Sequence, residues 1–447
     1  MNKQLLSSLG LCLLGFTAQA QWVSQPVGFA PDLVPFYIDA VDANTAWTVG
    51  TAIGSTYLQP QVARTMNAGQ NWTVSNLPIQ AGTSEDFTGL SAISASTAWI
   101  TTILNNNAGG RILRTTDGGQ TWTIQNNAGV YASARSYPDF IHFFSATEGV
   151  TVGDPLPGSS QMEMYATANG GLTWMPITTS PAALMDEFPE PTPPAVVGDD
   201  IWFVSIKGRV FHSPNKGLTW TVATAVPNLN SNATLAFRDA QNGLLSVLDN
   251  SGTNHGLYRT TDGGTTWVPL PYTGPLHGAG LSTVPGTSQY VSAGSDLGNG
   301  DQGSSFSRDN GQTWVALEST TNHITTEFVS PTVGWSAGLQ IKPTGVTGVV
   351  NRYSGTALAT RTDAGLQASL TVAPNPALGG RFTLQAARTT AGPATVRVLD
   401  VAGRLVQQQA WASAAPLALD LSREPAGIYV LEVQAASGTA RQKVVVQ

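Results

Sequence analysis

The chain has 447 residues, a net charge of −7 and a pI near 5.2. It therefore lacks the basic footprint of a nucleic-acid-binding protein, and nucleic acid is not an expected partner. Charged residues make up only 11% of the chain, against about 25% in an average globular domain. This low charge, together with 47 glycines, favours many short strands and tight turns over helices.

Residues 1–20 have the features of a secretory signal peptide. Lys3 supplies the positive start, Leu5–Phe16 the apolar core, and Ala18-Gln19-Ala20 the small-x-small cleavage site. The single cysteine, Cys12, lies inside this segment, so the mature chain would have no disulfide. A lipoprotein signal using Cys12 is disfavoured by the bulky Leu11 before it. No later apolar run reaches the ~18–20 residues of a membrane helix, and we expect an exported protein with no transmembrane segment.

The dominant feature is an eight-residue pattern, Ser/Thr-x-Asp/Asn-x-Gly-x-x-Trp, called the Trp motif below. Its third and last residues, which we assign as structural, are Asn67 and Trp72, Asp117 and Trp122, Asn169 and Trp174, Asn215 and Trp220, Asp262 and Trp267, and Asp309 and Trp314. Successive tryptophans are 50, 52, 46, 47 and 47 residues apart. A period in this range predicts propeller blades of about four strands each.

The residues of the motif predict a turn followed by a packed tryptophan. The third residue is Asp in three copies and Asn in three, so its role needs an acceptor oxygen and no charge. That oxygen can accept bonds from backbone N–H groups two residues on. The following glycine tolerates a positive φ, and the tryptophan can bury its ring between neighbouring blades.

A second repeated segment lies between the motifs, with a large residue at an equivalent place: Trp47, Trp99, Val150, Trp202, Leu244, Tyr290 and Trp335. There are seven of these segments and only six Trp motifs. Trp22 lies 50 residues before Trp72, in register with the repeat, so the N-terminal strand supplies the missing piece. We therefore predict a seven-bladed β-propeller over residues 21–355, closed by its N-terminal strand, because closure protects the sheet edges.

Beyond a linker at residues 356–369, the pattern changes to a second all-β module over residues 370–447. Alternating residues predict strands, and two short segments predict hairpin turns. The strands are Arg381–Gln385, Ala394–Leu399, Arg404–Ala410, Leu417–Leu421, Gly427–Gln434 and Arg441–Val446, and the turns are Asp400–Gly403 and Ala436–Gly438. About 78 residues of this kind predict a small Ig-like β-sandwich.

The repeats carry a family resemblance. The string T-T-D-G-G-Q-T-W from Thr115, coupled with segments such as G-W-S-A-G from Gly334, resembles the Asp-box (bacterial neuraminidase, BNR) repeats of sialidases, xyloglucan-hydrolysing propellers and photosystem II assembly-factor-like propellers. The resemblance is greatest to the last group. It implies that the boxes lie on outer hairpins, away from the ligand-binding face.

The resemblance to sialidases does not extend to their chemistry. It would imply an Arg triad, with the first Arg in an R-I-P motif on an early blade. Residues 21–63 contain no Arg, and the nearest string, Arg111-Ile112-Leu113, lacks the Pro. Arg64, Arg114 and Arg259 directly precede Trp motifs, where we expect them to pair with neighbouring blades.

Other chemical motifs are missing from the sequence. There is no G-x-S-x-G, P-loop or H-E-x-x-H motif, and the five histidines have no metal-ligand spacing. The loop from Asp296 to Asp301 matches neither calcium template, so we expect a solvated loop. We assign no catalytic residue, no metal and no cofactor.

A ligand would meet the loops on the face opposite the motifs, where propellers have a central depression. The candidate ligand-binding residues on those loops are Arg135, Tyr137, Asp139, Asp154, Glu187, Tyr272 and His277.

The C-terminal module resembles the type A sorting domain of the type IX secretion system. The matching strings are P-N-P from Pro374, V-R-V-L-D-V-A-G-R from Val396, L-D-L-S from Leu419, A-G-I-Y-V from Ala426, and the closing K-V-V-V. The resemblance implies a Bacteroidota cell and the type IX machinery as a partner. It also implies export through the periplasm and outer membrane, with release or surface anchoring. A carbohydrate-binding or spacer sandwich is the alternative.

Together these features predict a secreted or cell-surface monomer. We expect it to serve as a binding or scaffold module for a glycan or a protein. The alternative is a glycoside hydrolase that acts on extracellular polysaccharide.

Overall fold

The computed structural model describes residues 21–52, 58–79, 84–105, 108–227, 229, 231–249, 255–296, 298, 300–343, 345–355, 358, 364–387, 394–400, 405–413, 415–435 and 438–447. The predicted signal peptide lies outside the described residues. The chain divides into two compact units, Met1–Leu358 and Ala359–Gln447.

The first unit consists of short strands. They are β1 (Trp22–Pro26), β2 (Leu33–Ala40), β3 (Ala46–Ala52), β4 (Gln61–Thr65), β5 (Thr73–Asn76), β6 (Glu85–Ala92), β7 (Ala98–Leu104), β8 (Gly110–Thr115), β9 (Thr123–Ile124), β10 (Pro138–Phe143), β11 (Gly149–Pro155), β12 (Met162–Thr167), β13 (Met175–Pro176), β14 (Ala195–Val197), β15 (Asp200–Val204), β16 (Arg209–Ser213), β17 (Thr221–Thr224), β18 (Ser231–Phe237), β19 (Gly243–Asp249), β20 (His255–Thr260), β21 (Val268–Pro269), β22 (Gly280–Thr283), β23 (Tyr290–Gly294), β24 (Gly303–Ser307), β25 (Val315–Glu318), β26 (Asn322–Ser330), β27 (Val333–Lys342) and β28 (Gly345–Tyr353).

These strands form four-stranded antiparallel sheets, as in a β-propeller. Six sheets take their strands in chain order, and we number them sheet 1 (β2–β5), sheet 2 (β6–β9), sheet 3 (β10–β13), sheet 4 (β14–β17), sheet 5 (β18–β21) and sheet 6 (β22–β25). Sheet 7 has the order β1-β28-β27-β26, so the N-terminal strand completes it. Trp22 pairs with Tyr353 and Pro26 with Val349.

The Trp motif forms the turn between the third and fourth strands of sheets 1–6. In the second copy, the Thr115 hydroxyl accepts a bond of 2.9 Å from the Gly119 N–H. The Asp117 carboxylate accepts one of 2.9 Å from the N–H of Thr121, which lies four residues on rather than two. Gly119 has φ +87°, which is why glycine is needed at that position. The other five copies repeat both bonds at 2.8–2.9 Å.

The apolar repeats form the contacts between sheets. The seven large residues of the second repeated segment are at most 1% exposed, which confirms that they belong to the core. The motif tryptophans pack beside them: Trp72 of sheet 1 contacts Trp335 of sheet 7, and Trp122 of sheet 2 contacts Trp47 of sheet 1. Sheet 7 therefore packs on sheet 1 as well as on sheet 6.

The second unit contains a short helix and two sheets around a core of its own. The elements are α1 (Ala364–Ser369), a 3₁₀ turn (Leu378–Gly380), β29 (Leu370–Ala373), β30 (Arg381–Ala386), β31 (Ala394–Leu399), β32 (Leu405–Trp411), β33 (Leu417–Asp420), β34 (Gly427–Ala435) and β35 (Gly438–Val446). The sheet orders are β29-β30-β33 and β32-β31-β34-β35. Each of the six predicted strands is present, whereas residues 401–403 and 436–437 of the two predicted turns lie outside the described residues.

Candidate functional site

The face opposite the Trp motifs is formed where the first strand of each sheet begins and the second strand ends. In four sheets the first strand has a β-bulge close to this end, at Phe36, Thr88, Asp139 and Ile324. A bulge leaves one residue out of the ladder and redirects its side chain. The bulge in β10 therefore takes Asp139 out of the regular ladder of sheet 3.

Asp139 and Asp154 form a carboxyl pair at this bulge. Asp139 is 7% exposed, and burial together with the neighbouring Asp154 raises its pKa well above the usual range. Burial also raises the pKa of Asp154, to about 6, although the hydrogen bond with Asp139 acts in the opposite direction. Among the described residues, Asp139 Oδ2 and Asp154 Oδ1 are buried without a hydrogen-bond partner. Two carboxyl groups with raised pKa values therefore lie next to each other at this bulge.

Tyr137 lies beside this pair. Tyr137 is 37% exposed. Its pKa rises to about 12 because of burial and the nearby Asp139 and Asp154 carboxyl groups. The backbone packs tightly here: a Cβ at Gly153 would lie 2.3 Å from the Tyr137 carbonyl oxygen. Arg135 is exposed.

Glu187 belongs to a different structure, a segment of residues 180–191 that we call the strap. Its carboxylate is buried and accepts bonds from Ser205 Oγ at 2.5 Å, from Arg209 Nε at 2.8 Å and from the Leu184 N–H at 2.7 Å. Burial by itself would raise the pKa of Glu187, but these bonds, led by that of Arg209, lower it below the usual value. Glu187 is therefore the anchor of the strap.

The strap also reaches sheet 1. The Tyr37 hydroxyl on β2 donates a bond of 3.0 Å to the Pro191 carbonyl. Asp139 and Tyr137 both act on the pKa of Tyr37, which burial raises above its ordinary value, so the strap contact lies near the carboxyl pair. Next to Pro191, Glu190 is 6% exposed, and burial raises its pKa to about 7.

The strap displays large apolar side chains to solvent. Leu184 is 52% exposed, Met185 85% and Phe188 39%. Between them lies Asp186, which is exposed and has φ +54°. Since the backbone around them is pinned by Glu187, these side chains are presented on a fixed frame.

Tyr272 and His277 lie in the connection between β21 of sheet 5 and β22 of sheet 6. The Tyr272 hydroxyl donates to the His255 carbonyl at 3.1 Å, and His277 Nδ1 lies 2.8 Å from Asp301 Oδ1. Asp301 also accepts a hydrogen bond of 2.9 Å from the Gly278 N–H, so its carboxylate holds the segment that contains His277 and Gly278. The structure brings together Tyr137, Asp139 and Asp154, and it separates them from the pair Tyr272 and His277.

Sequence reasoning missed two ion pairs at this face, Glu85 with Arg111 and Glu187 with Arg209. Arg111 and Arg209 each lie eleven residues before the tryptophan of their own Trp motif. Aligning the repeats on that tryptophan would have revealed a charged position at the start of the third strand. Glu163 occupies the same position in sheet 3 and bonds to the Tyr165 hydroxyl at 2.7 Å.

A second carboxyl pair, Asp39 with Glu327, was also missed. Glu327 accepts a bond of 2.8 Å from the Ala40 N–H, and Asp39 accepts one of 2.8 Å from the Ala92 N–H, so each ties its sheet to the next. Burial raises the pKa of Asp39 to about 7, and burial with the neighbouring Asp39 raises that of Glu327 well above the usual range. Among the described residues, no group of three or more His, Cys, Asp or Glu side chains could hold a metal ion.

The second unit gives the clearest comparison with known proteins. Residues 371–447 match the family described as "Secretion system C-terminal sorting domain". The chain carries a type IX sorting domain. The sorting domain implies export to the cell surface or into the medium. In the part of the chain that the structure describes, no helix has the length and hydropathy needed to cross a membrane. No curated protein matches the chain.

Solved structures resemble the first unit in fold. YCF48 bound to a D1 peptide is 17% identical, with a TM-score of 0.51 over 75% of this chain and 97% of that one. YCF48 from Cyanidioschyzon merolae is also 17% identical, with a TM-score of 0.50 over 74% of this chain and 98% of that one. PorZ, a surface component of the type IX system of Porphyromonas gingivalis, is 13% identical, with a TM-score of 0.47 over 95% of this chain and 61% of that one. At these identities the first two comparisons establish a shared β-propeller fold and nothing about activity.

Proposed function

We propose that the seven sheets of the first unit are the blades of one seven-bladed propeller that β1 closes. Support comes from the order of sheet 7 and from its packing on both sheet 6 and sheet 1. We propose further that residues 370–447 form an Ig-like sandwich, supported by two sheets that share one hydrophobic core. A signal peptide at residues 1–20 and Asp-box (BNR) repeats at the Trp motifs complete this proposed organisation.

We propose that the exported protein is a binding module whose face opposite the Trp motifs takes a protein ligand. The observation that carries this proposal is the strap, because it presents Leu184, Met185 and Phe188 on a backbone pinned by Glu187. Contiguous exposed apolar side chains mark interaction sites, and a rigid frame lowers the entropy cost of binding.

Other residues of this face either contact the ligand beside the strap or lie outside the binding site. Exposed Arg135 and Tyr137 contact the ligand beside the strap, and the Asp139–Asp154 pair holds the backbone under Tyr137. Asp186 gives the strap one negative charge, which favours a ligand with a basic residue among apolar ones. Tyr272 and His277 lie in the β21–β22 connection and are not part of this binding site.

The glycoside hydrolase alternative needs two carboxyl groups about 5–10 Å apart, on either side of a sugar bond. Asp139 is instead only 7% exposed and lies beside Asp154, so it offers little surface to a sugar. The geometry of this pair therefore favours binding over hydrolysis.

The test is capture of a ligand by the mature protein from the cell envelope of its host, followed by reconstitution with the purified ligand. We expect the double variant Met185→Asp, Phe188→Asp to lose at least tenfold in affinity. The matched control is the double variant Leu172→Asp, Met175→Asp, which changes side chains that are 68% and 67% exposed and lie outside the strap. Equal loss in both double variants, or none in either, would contradict the proposal. A hydrolysis screen on polysaccharides, run in parallel, would support the alternative if it gave turnover.

A further inference from the structure

A cleft separate from the strap lies between sheets 6 and 7, on the same face. Its volume is about 510 Å³, within the ~300–1,000 Å³ of small-molecule sites. Three parts of the chain form its walls: the β23–β24 connection with Asp296 and Gln302, the β25–β26 connection with Thr320 and Thr321, and the end of β27 from Leu339 to Lys342. Ser24 of β1 also lines it, so the cleft spans the contact between the N-terminal strand and its neighbours.

The frame of the cleft is held by hydrogen bonds of Asn322, Asn351 and Glu318. Asn322 Oδ1 accepts from the Asp296 N–H at 2.7 Å, and the Asn322 carbonyl accepts from Asn351 Nδ2 at 3.1 Å. Glu318 accepts from the N–H groups of Thr320 and Thr321 at 2.9 and 2.8 Å. The walls are therefore fixed before any ligand arrives.

Several hydrogen-bonding side chains in the cleft have no partner. The side chains of Gln302, Thr321 and Gln340 make no hydrogen bond with the part of the chain that the structure describes, and the same holds for Thr320 and Lys342. Amide and hydroxyl groups both donate and accept. Amide and hydroxyl side chains without internal hydrogen bonds suit a ligand whose own groups both donate and accept hydrogen bonds.

The charges and the apolar surface narrow the choice of ligand. Asp296 and Lys342 carry opposite charges, so the lining has no net charge and does not select a phosphate or another anion. Ile341 is 58% exposed and gives an apolar surface that suits the C–H face of a sugar ring. We infer that this cleft binds a neutral oligosaccharide of two or three sugar units.

A bound oligosaccharide would contact both sheet 6 and sheet 7, including strand β1 of sheet 7. A ligand that binds only the folded state raises the stability of the protein. The described residues of the lining include no aromatic ring for stacking, so we expect a modest affinity. The cleft and the strap use different residues, so variants of one leave the other intact.

The test is calorimetric titration of the mature protein with neutral trisaccharides of glucose, xylose, mannose and N-acetylglucosamine. Trigalacturonate and inorganic phosphate are the anionic comparisons. We expect at least one neutral trisaccharide to bind and to raise the melting temperature. The double variant Gln302→Ala, Gln340→Ala should bind it at least tenfold more weakly. Without ligand, that variant should melt as the parent does, because neither side chain has an internal hydrogen bond.

Gln385→Ala, an exposed position on β30, is the matched control and should bind as the parent does. The inference is overturned if no neutral trisaccharide binds, or if the double variant keeps its affinity. It is also overturned if the anions bind more tightly than the neutral sugars and Lys342→Ala abolishes that binding, since the cleft would then be an anion site. The strap double variant Met185→Asp, Phe188→Asp should bind the trisaccharide normally, and a loss there would place the sugar at the strap instead.

Discussion

Trp22 Nε1 donates a hydrogen bond of 2.9 Å to Ser304 Oγ, across 282 positions of the chain. The indole is 5% exposed, and its centroid lies 5.3 Å from that of Tyr353. One residue at the predicted start of the mature chain thus joins β1 to sheets 6 and 7.

Deleting residues 21–28 should sharply lower the melting temperature, because sheet 7 loses its fourth strand and exposes an edge. Trp22→Ala should cost about 3–5 kcal/mol, the scale of a buried tryptophan. Scanning calorimetry measures both. Val23→Ala is the control, since Val23 is 49% exposed and should change little. An unchanged melting temperature after the deletion would rule out closure by β1.

At pH 7, Asp117→Asn should destabilise less than Asp117→Ala, because only Asn keeps the acceptor for Thr121. The parent should also lose stability in acid. Hydrogen bonds from Thr121 lower the pKa of Asp117 to about 2, below its unfolded value near 3.8. Its contribution is therefore present above about pH 4 and is lost as the pH falls towards 2. Melting curves across that window should be flatter for the Asn variant. A loss of ligand binding by Asp117→Asn, with stability intact, would show a chemical role instead.

Asp39→Asn should make the first unit more stable at pH 8 than the parent. The raised pKa of Asp39, about 7, means that the folded state keeps a proton that the unfolded state releases near pH 4. Stability from this group is complete below pH 4 and falls as the pH rises towards 7. Asn keeps the acceptor for the Ala92 N–H and never ionises beside Glu327. Chemical denaturation at pH 5 and pH 8 measures the difference, and an equal loss at both values would contradict the assignment.

Glu187→Ala should destabilise the first unit by about 3 kcal/mol, because it leaves the Arg209 side chain, which is 13% exposed, without its carboxylate partner. The strap should also become the first site of limited proteolysis, since its anchor is gone. Arg135→Ala, at an exposed position, is the control and should change neither the stability nor the protease sensitivity of the strap. If the strap of the Glu187→Ala variant resisted protease as the parent does, Glu187 would not be its anchor.

Removing residues 370–447 should leave the melting transition of the first unit nearly intact, because the two units have separate cores. In the host, the truncated protein should accumulate in the periplasm, since the sorting domain is lost. Fractionation with an antibody against the first unit measures this. Normal amounts at the surface or in the medium would mean that export does not need this domain.

Part of the candidate site could be predicted from the sequence. The spacing of the Trp motifs places their turns at one end of every sheet, so the residues at the other end, Asp139 and Asp154 among them, follow from counting strands. Aligning the repeats would also have found Arg111 and Arg209. The bulge at Asp139 has no sequence signature that we recognise, because it depends on how β10 fits against β11.

The sequence by itself determined the all-β architecture, the strands of the second unit and the sorting domain, because turn chemistry, hydrophobic period and a contiguous family pattern are local properties of the chain. Only the tertiary structure decided which distant groups meet. Tyr37 reaches Pro191 across 154 positions, and Glu327 of sheet 7 caps the Ala40 N–H of sheet 1. Such contacts depend on how whole sheets pack around one another. For the same reason, the closeness of Asp139 to Asp154 and the anchoring of the strap by Glu187 arise only in the folded protein.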